Sequence, residues 1–321
     1  MTSLSVTLPI NELRKAFGEH LQENVRLANY TTARAGGIVD GLLVANNNDD
    51  LAQQVRQLWE MEVPFRVLGS GSNVLVSDQG YRGVILINRA RNFRIETRQA
   101  SPSVWSESGA NLAGVARQAA LQGLSGLEWA VAVPGTVGGA VYGNAGAFDG
   151  DIQSSLLLAD ILHRELGREN WDSARCQYGY RTSTFKKDHQ PVVILAASFK
   201  LSQSTSEKVK GKMGGFNAKR RATQPPGATM GSMFKNPPGD YAGRLIELAG
   251  LKGLRIGGAE ISTKHANFFV NDQGATAQDI WELIQQCDMV VKEKFGVELE
   301  LEIELLGDWP ASKIASSRRT E

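Results

Sequence analysis

Leu51, Val55, Leu58 and Trp59 recur at the spacing of one helix face, behind a polar run in which Asn48 or Asp49 can cap the first turn. A helix is therefore expected over NNNDDLAQQVRQLWEME. The short apolar runs FRVLG, VLVS and GVILIN read as strands, the first two separated by the tight loop GSGSN and the third preceded by a turn at QGYRG. NLAGVARQAALQG returns to helical spacing, with Asn111 as cap and Gly123 as stop. VVILAASFKL reads as a buried strand, and SEKVKGKMGGFNAKRR as a basic, partly helical connector suited to a domain boundary. The last third predicts a short helix over DYAGRLIELAG, a strand over HANFFVN and a long helix from the Thr276 cap to Gly296. ELELEIELLG closes the ordered chain as a strand. Strands and helices mix without a strict βαβ repeat, so the expected class is α+β.

At 321 residues the chain is long for one core, and two or three domains are expected. A net charge of +1 gives no field for a nucleic acid or an anionic membrane, so neither is expected as a partner. Cys176 and Cys287 lack metal-ligand spacing; reduced thiols in a cytoplasmic chain are expected, with no metal. The first residues lack the apolar stretch of a signal peptide, and no run approaches the ~18 apolar residues of a membrane span. The small, polar end ASKIASSRRTE is expected to be disordered.

Two glycine-rich stretches invite a ligand. In LGSGSNVLVS, Gly69 and Gly71 allow backbone N–H groups to turn on an anion, and Ser70, Ser72 and Asn73 add donors. The third glycine of the dinucleotide fingerprint is missing and a strand comes next, so a plain hairpin turn is the competing explanation. PGTVGGAVYGNAGA strips side chains from an apolar stretch, as expected where backbone packs on a flat cofactor, although a glycine-rich loop would look similar. In ATMGSMFKNPPG, Ser232 stands between chain breakers, either capping the next helix or presenting a hydroxyl beside Lys235. Glu298, Glu300, Glu302 and Glu304 alternate with apolar residues, which puts four carboxylates on one strand face, ordinarily a solvated one.

These segments, in this order, resemble the UDP-N-acetylenolpyruvoylglucosamine reductase (UDP-N-acetylmuramate dehydrogenase) family. The resemblance is carried by YTTARAGG (30–37), LGSGSNVLVSD (68–78), LSGLEWAVAVPGTVGGAVYGNAGAF (124–148), YGYRTSTFK (178–186), GSMFKNPPGDYAGRLIELAGLKG (231–253), KHANFFVN (264–271) and KFGVELELEIELLG (294–307). It implies an FAD-binding fold of the vanillyl-alcohol-oxidase (PCMH) type in two subdomains, 1–75 and 76–207. It also implies a C-terminal α+β substrate domain, 208–307, and a tail, 308–321. It further implies an FAD enzyme in which NADPH gives a hydride to the flavin, which then reduces the enolpyruvyl double bond of UDP-N-acetylglucosamine enolpyruvate. The product, UDP-N-acetylmuramate, is a precursor of the bacterial cell wall, so the partner is a small-molecule UDP-sugar. A monomer is expected.

Carried onto this sequence, the motif register makes Ser232 the proton donor, places Arg181 beside the enolpyruvyl carboxylate and selects Glu302 as the catalytic glutamate. The cofactor contacts fall on Gly69, Ser70, Gly71, Ser72, Asn73, Pro134, Gly135, Thr136, Gly138, Gly139, Asn144 and Gly146. Tyr180, Arg220, Lys235, Asn236 and His265 fall on the substrate. The residue types suit the chemistry. Adding hydride to an electron-poor double bond builds charge on the carboxyl side, where a cation stabilises the transition state more than the ground state. A serine is a poor acid, so Lys235 is expected to support its oxygen. Arg220 and Arg221 are alternatives for the diphosphate. His265 and Tyr178 also suit plain packing, as Arg181 suits a surface ion pair. Phe148 and Asp149 replace the family's usual tyrosine and glycine, and Ile38-Val39 its Pro-Ala. The stretch from Arg181 to Ser232 is too short for the extra tyrosine-bearing loop of one subtype. Another flavin oxidoreductase would share the glycine loops without reason for the YRTS and GSMFKNPP motifs. A nucleotide-binding module without chemistry would not need Ser232, Arg181 and Glu302 together. A serine hydrolase would need the G-x-S-x-G elbow that is absent.

Overall fold

The computed structural model describes residues 8–97, 101–188 and 190–309. Its first sheet has the strand order Gln22–Arg26, Ile38–Ala45, Tyr81–Asn88, Phe65–Leu68, the first pair antiparallel and the others parallel. The helix Asn48–Glu60 buries Leu51, Val55 and Leu58 as the periodicity predicts. Its cap is Asn47, one residue earlier than expected. The Asn47 side chain accepts from the N–H groups of Asp49 and Asp50 at 3.0 and 2.9 Å, while the Asn48 N–H is taken by Glu107. Leu162 and Leu195 of a second sheet join the core under this helix, so it lies between the two sheets.

The second sheet is antiparallel, in the order Gly167–Trp171, Leu156–His163, Val192–Lys200, Ser103–Glu107, Phe93–Glu96. The helices Leu112–Leu121 and Val137–Gly143 share its core. Asn111 caps the first of these, and Gly123 stands just past its end with φ +72°, as the sequence indicates. The basic connector is a continuous helix, Ser206–Thr223, whose few apolar positions, Val209 and Met213, enter this same core. The packing units therefore divide differently from the expected segments. Tyr81–Asn88 completes the first sheet beyond residue 75, and the helix that opens the 208–307 segment belongs to the preceding core.

A third core gathers the helices Ala242–Leu248 and Ala277–Phe295 around the small antiparallel sheet Arg255–Ile256, Ala259–Ile261, Phe269–Asn271. Thr276 caps the long helix through a reciprocal capping box with Asp279, and Gly296 ends it in the left-handed conformation. The predicted final strand is regular only over Glu304–Leu306, which runs parallel to Val74–Val76. The preceding residues lie against 233–235 through a single bridge, Phe234 with Leu301. Beyond it, Trp309 packs on Trp281 at 5.3 Å, so the second residue of the expected tail is anchored; 310–321 lie outside the described residues. Cys176 and Cys287 are free and buried. No helix among the described residues is long and apolar enough to cross a membrane.

Candidate active site

The two glycine loops, far apart in sequence, meet. A Cβ on Gly69 would lie 2.2 Å from Thr136 Oγ1, and one on Gly135 would meet Ser72 Oγ at 3.0 Å. Ser72 Oγ also donates to Pro134 O at 3.4 Å. Gly71 needs its glycine twice over, since φ is +59° and a Cβ would sit 2.2 Å from Tyr30 O. Beside this junction lies a cleft of about 400 Å³ whose lining includes Tyr30, Gly69, Ser70, Arg89, Asn111 and Thr136. Around the second loop the backbone is bare: a Cβ on Gly143 would meet nothing within 4 Å, and one on Gly139 only Thr136 Oγ1 at 3.6 Å.

The segment after this loop makes a tight hairpin. Gly179 and Thr182 exchange both backbone hydrogen bonds, at 3.1 and 3.2 Å, leaving Tyr180 and Arg181 at the tip. Arg181 has φ +55°, a conformation costing a non-glycine residue about 1–2 kcal/mol. Two buried side chains hold the hairpin. Asn144 Nδ2 donates to Gly179 O at 2.9 Å while its Oδ1 accepts from Gln153 N–H at 3.0 Å, and Ser183 Oγ donates to Tyr142 O at 2.5 Å.

The guanidinium meets Glu302, with Nε 2.9 Å from Oε1. The pair is an ion contact out of hydrogen-bond alignment, so Arg181 Nε is a buried donor without an acceptor. Burial pushes the Glu302 carboxyl above its usual range, and Arg181, Lys186 and Lys235 pull it back. The strand face expected to be solvated is so at Glu298 and Glu300, which are exposed, and becomes part-buried at Glu302 and Glu304, and its carboxylates are paired with cations. Glu298 pairs with Lys292, Glu300 with Lys235 and Glu304 with Lys186, each at 2.5 Å.

Ser232 enters from the loop alongside. Gly231 has φ +83°, and Ser232 bridges to Phe268. The Met233 N–H donates to Asn267 O and the Glu302 N–H to Met233 O, at 2.9 and 2.8 Å, so the serine is the chain neighbour of the glutamate's backbone partner. Asn267 fixes the loop further by bonding both backbone groups of Phe234.

The comparisons with known proteins bear on these residues directly. The family model described as UDP-N-acetylenolpyruvoylglucosamine reductase, C-terminal domain, matches residues 223–306, which include Ser232 and Glu302. A model described as FAD binding domain matches 39–162, which include both glycine loops. The UDP-N-acetylenolpyruvoylglucosamine reductase of Chloroflexus aggregans is 39% identical over 291 residues, covering 89% of this chain and 97% of the relative. That of Bacillus pumilus is 40% identical over 299 residues, covering 93% and 98%. The chain belongs to the UDP-N-acetylenolpyruvoylglucosamine reductase family. The crystal structure of the Thermus caldophilus reductase of this family aligns with a TM-score of 0.74 at 34% identity, covering 88% of this chain and 97% of that one. The fold is thus the FAD-binding fold of the vanillyl-alcohol-oxidase type followed by a C-terminal α+β domain.

As an FAD site for this reductase-family chain, the residues fit. The bare backbone at Gly139 and Gly143 leaves room for a flat group. Ser70, Asn111 and Thr136 offer polar groups along the cleft, and Arg89 and Arg91, in no ion pair among the described residues, offer positive charge. Gly138 and Gly146 are determined by protein contacts: a Cβ would lie 2.9 Å from Ser108 Cβ and 2.8 Å from Gly150 O. The two Asn73 bonds run to the C-terminal strand, its side chain donating to Glu302 O at 3.1 Å and its carbonyl accepting from the Glu304 N–H at 2.8 Å. The loop expected at the cofactor thereby also holds the C-terminal segment that bears Glu302. Asn144 spends its side chain on the Arg181 hairpin.

Among the expected substrate residues, Tyr180 is exposed, and its hydroxyl accepts from the Asn236 N–H at 3.4 Å. The Asn236 side chain accepts from the Ala242 N–H at 3.2 Å, at the start of the helix Ala242–Leu248. Lys235 holds Glu300; among the described residues no hydrogen bond joins it to Ser232. Arg220 is half-buried, its basicity lowered by that burial, whereas Arg221 is exposed. His265 Nδ1 accepts from the Asn267 N–H at 3.2 Å, which assigns a neutral ring, and burial lowers its pKa in the same direction. Sequence reasoning does not single out Arg89, Arg91 or Lys186. The first two stand in NRARN directly after a strand. Lys186 lies inside the YGYRTSTFK motif, but only the fold shows that it faces Glu304.

Proposed function

We propose that this chain reduces the enolpyruvyl group of UDP-N-acetylglucosamine enolpyruvate to UDP-N-acetylmuramate, with NADPH as reductant, in the cytoplasmic synthesis of cell-wall precursor. The observation that supports it best is the meeting of Arg181, from the FAD-binding part, with Glu302 of the C-terminal domain, in the register of the serine loop. When bound, FAD supplies the redox chemistry, taking a hydride from NADPH and delivering one to the substrate double bond. Arg181 binds the substrate carboxylate, its buried Nε making no hydrogen bond among the described residues, and stabilises the charge that builds there. Glu302 in its ionised form, which its three cations favour against the burial that opposes it, orients the guanidinium. Ser232 Oγ gives its proton to the carbon next to the carboxylate, a step worth about 10²–10⁴-fold. Lys235 acts on the paired carboxylates through Glu300, and the half-buried Arg220 is the better placed of the two arginines to take the diphosphate once desolvated.

The test is anaerobic. The purified protein should carry FAD, NADPH should bleach its visible absorbance, and UDP-N-acetylglucosamine enolpyruvate should restore it. Protein that binds no FAD, or flavin that the substrate leaves bleached, overturns the proposal.

A further inference from the structure

We propose that Lys186 is a positioning residue for the reduction: by neutralising Glu304, two residues from Glu302, it leaves Glu302 as the carboxylate that pairs with Arg181 and orients it. The inference rests on the functional reading above and deepens it.

Lys186 is the most buried of the cations paired with these carboxylates. Its side chain is 5% exposed, against 11% for Lys235, 25% for Arg181 and 58% for Lys292. A buried lysine adds little net stability and a well-packed apolar residue commonly does as well, so its retention calls for a use for the charge. The fold does not need the ammonium for anchorage. Its neighbour Phe185 is buried and stacks on Trp171 at 5.2 Å, and the Lys186 N–H donates to Ser183 O at 3.1 Å. The Glu304 backbone is fixed without it, through its own N–H to Asn73 O at 2.8 Å and its pairing with Val74. Two backbones held independently therefore present a cation and a carboxylate to each other at 2.5 Å, two residues along the chain from Glu302. Lys186 and Arg181 lie on one short segment, so a single stretch of the FAD-binding part supplies the partners of both carboxylates.

The charges that act on Glu302 are the cations Arg181, Lys186 and Lys235, of which Lys235 also pairs with Glu300 and Lys186 with Glu304, the carboxylates two residues away in the chain on either side. Tyr142, in the helix Val137–Gly143, faces Glu304, and burial pushes its hydroxyl upward, so it stays protonated. Glu302 is raised by burial and therefore takes up a proton as pH falls through a value above the ordinary carboxylate range. Below that value Arg181 loses its orienting partner. Removing Lys186 takes away one cation and leaves the negative charge of Glu304 uncompensated, and both changes raise Glu302 further.

The experiment tracks flavin reoxidation by substrate against pH in the FAD-loaded enzyme. Lys186→Met should move the acid limb up by about one pH unit. Glu304→Gln, which leaves Lys186 without its carboxylate, should move it down. The double variant Lys186→Met/Glu304→Gln removes both charges and should return it near the parent value. A purely structural role lowers rate or melting temperature without this opposed pair of shifts. Limbs that coincide in all four proteins, or a double variant displaced as far as the single, overturn the inference. If the parent flavin is not reoxidised at any pH, the functional reading fails instead. Carboxyl-carbon NMR titration of Glu302 in the same four proteins then decides the Lys186 claim on its own.

Discussion

Replacing Asn144 tests how the arginine is held. Asn144 is buried, sits at φ +48°, and closes two hydrogen bonds, to Gly179 O and from Gln153 N–H. Substitution by glycine keeps the backbone conformation and deletes both bonds. At about 1 kcal/mol net for each, Asn144→Gly should cost about 2 kcal/mol, and more if water does not reach the freed carbonyl and amide. Asn144→Ala loses the same bonds and keeps a Cβ in the left-handed region without the asparagine side chain that tolerates it, a cost of about 1 kcal/mol relative to glycine. Urea denaturation of both variants gives the two increments separately. Since the Gly179–Thr182 pairing carries Arg181, both variants that retain flavin should also be slow to reoxidise with substrate while being reduced normally by NADPH. Equal stability of the glycine and alanine variants would remove the strain argument. Native reoxidation by a destabilised glycine variant would show that Asn144 does not position Arg181.

The same geometry sets four further outcomes. Arg181→Gly should be about 1 kcal/mol more stable than Arg181→Ala, both lacking the ion pair, because only glycine accepts φ +55° without strain; thermal denaturation gives the difference. Gly69→Ala should abolish flavin retention, since its Cβ would displace Thr136, whereas Gly143→Ala, with nothing in the protein to meet, should fold normally and lose flavin only if the cofactor lies over it; absorbance of the purified variants distinguishes the two. The acid limb of substrate reduction should lie above the ordinary carboxylate range, because burial raises Glu302 and activity depends on its ionised form; a limb at or below that range contradicts the assignment. Its buried charge should also count against folding as pH rises through the same window, so Glu302→Gln in the Arg181→Gly background should flatten the pH dependence of stability there.

Much of the fold was legible where local chemistry decides it. Asn111, Thr276, Gly123 and Gly296 mark helix ends because caps and left-handed stops act within a turn. The helix Asn48–Glu60 began one residue early for a reason outside its own sequence, since the N–H of Asn48 is claimed by Glu107, far along the chain. The terminal strand shows the same limit. Its alternation correctly placed Leu299, Leu301 and Ile303 in the core, but periodicity cannot supply the cations that pair with its carboxylates. Arg181 and Lys186 come from another core, Lys235 from another loop. The glycine stretches were recognisable as bare surface, whereas the contact of Gly69 with Thr136 exists only once the loops meet. Asn144 carried no signal in the sequence that it would serve the arginine hairpin, because its partner Gly179 lies in a separate motif.

The central claim, that Ser232 protonates a substrate carbon beside Arg181, is tested most directly by single-turnover absorbance measurements on FAD-loaded Ser232→Ala. NADPH should bleach the flavin of this variant at the parent rate, and UDP-N-acetylglucosamine enolpyruvate should restore it at least about 10²-fold more slowly, the loss expected of a missing general acid. Restoration at the parent rate would contradict the account.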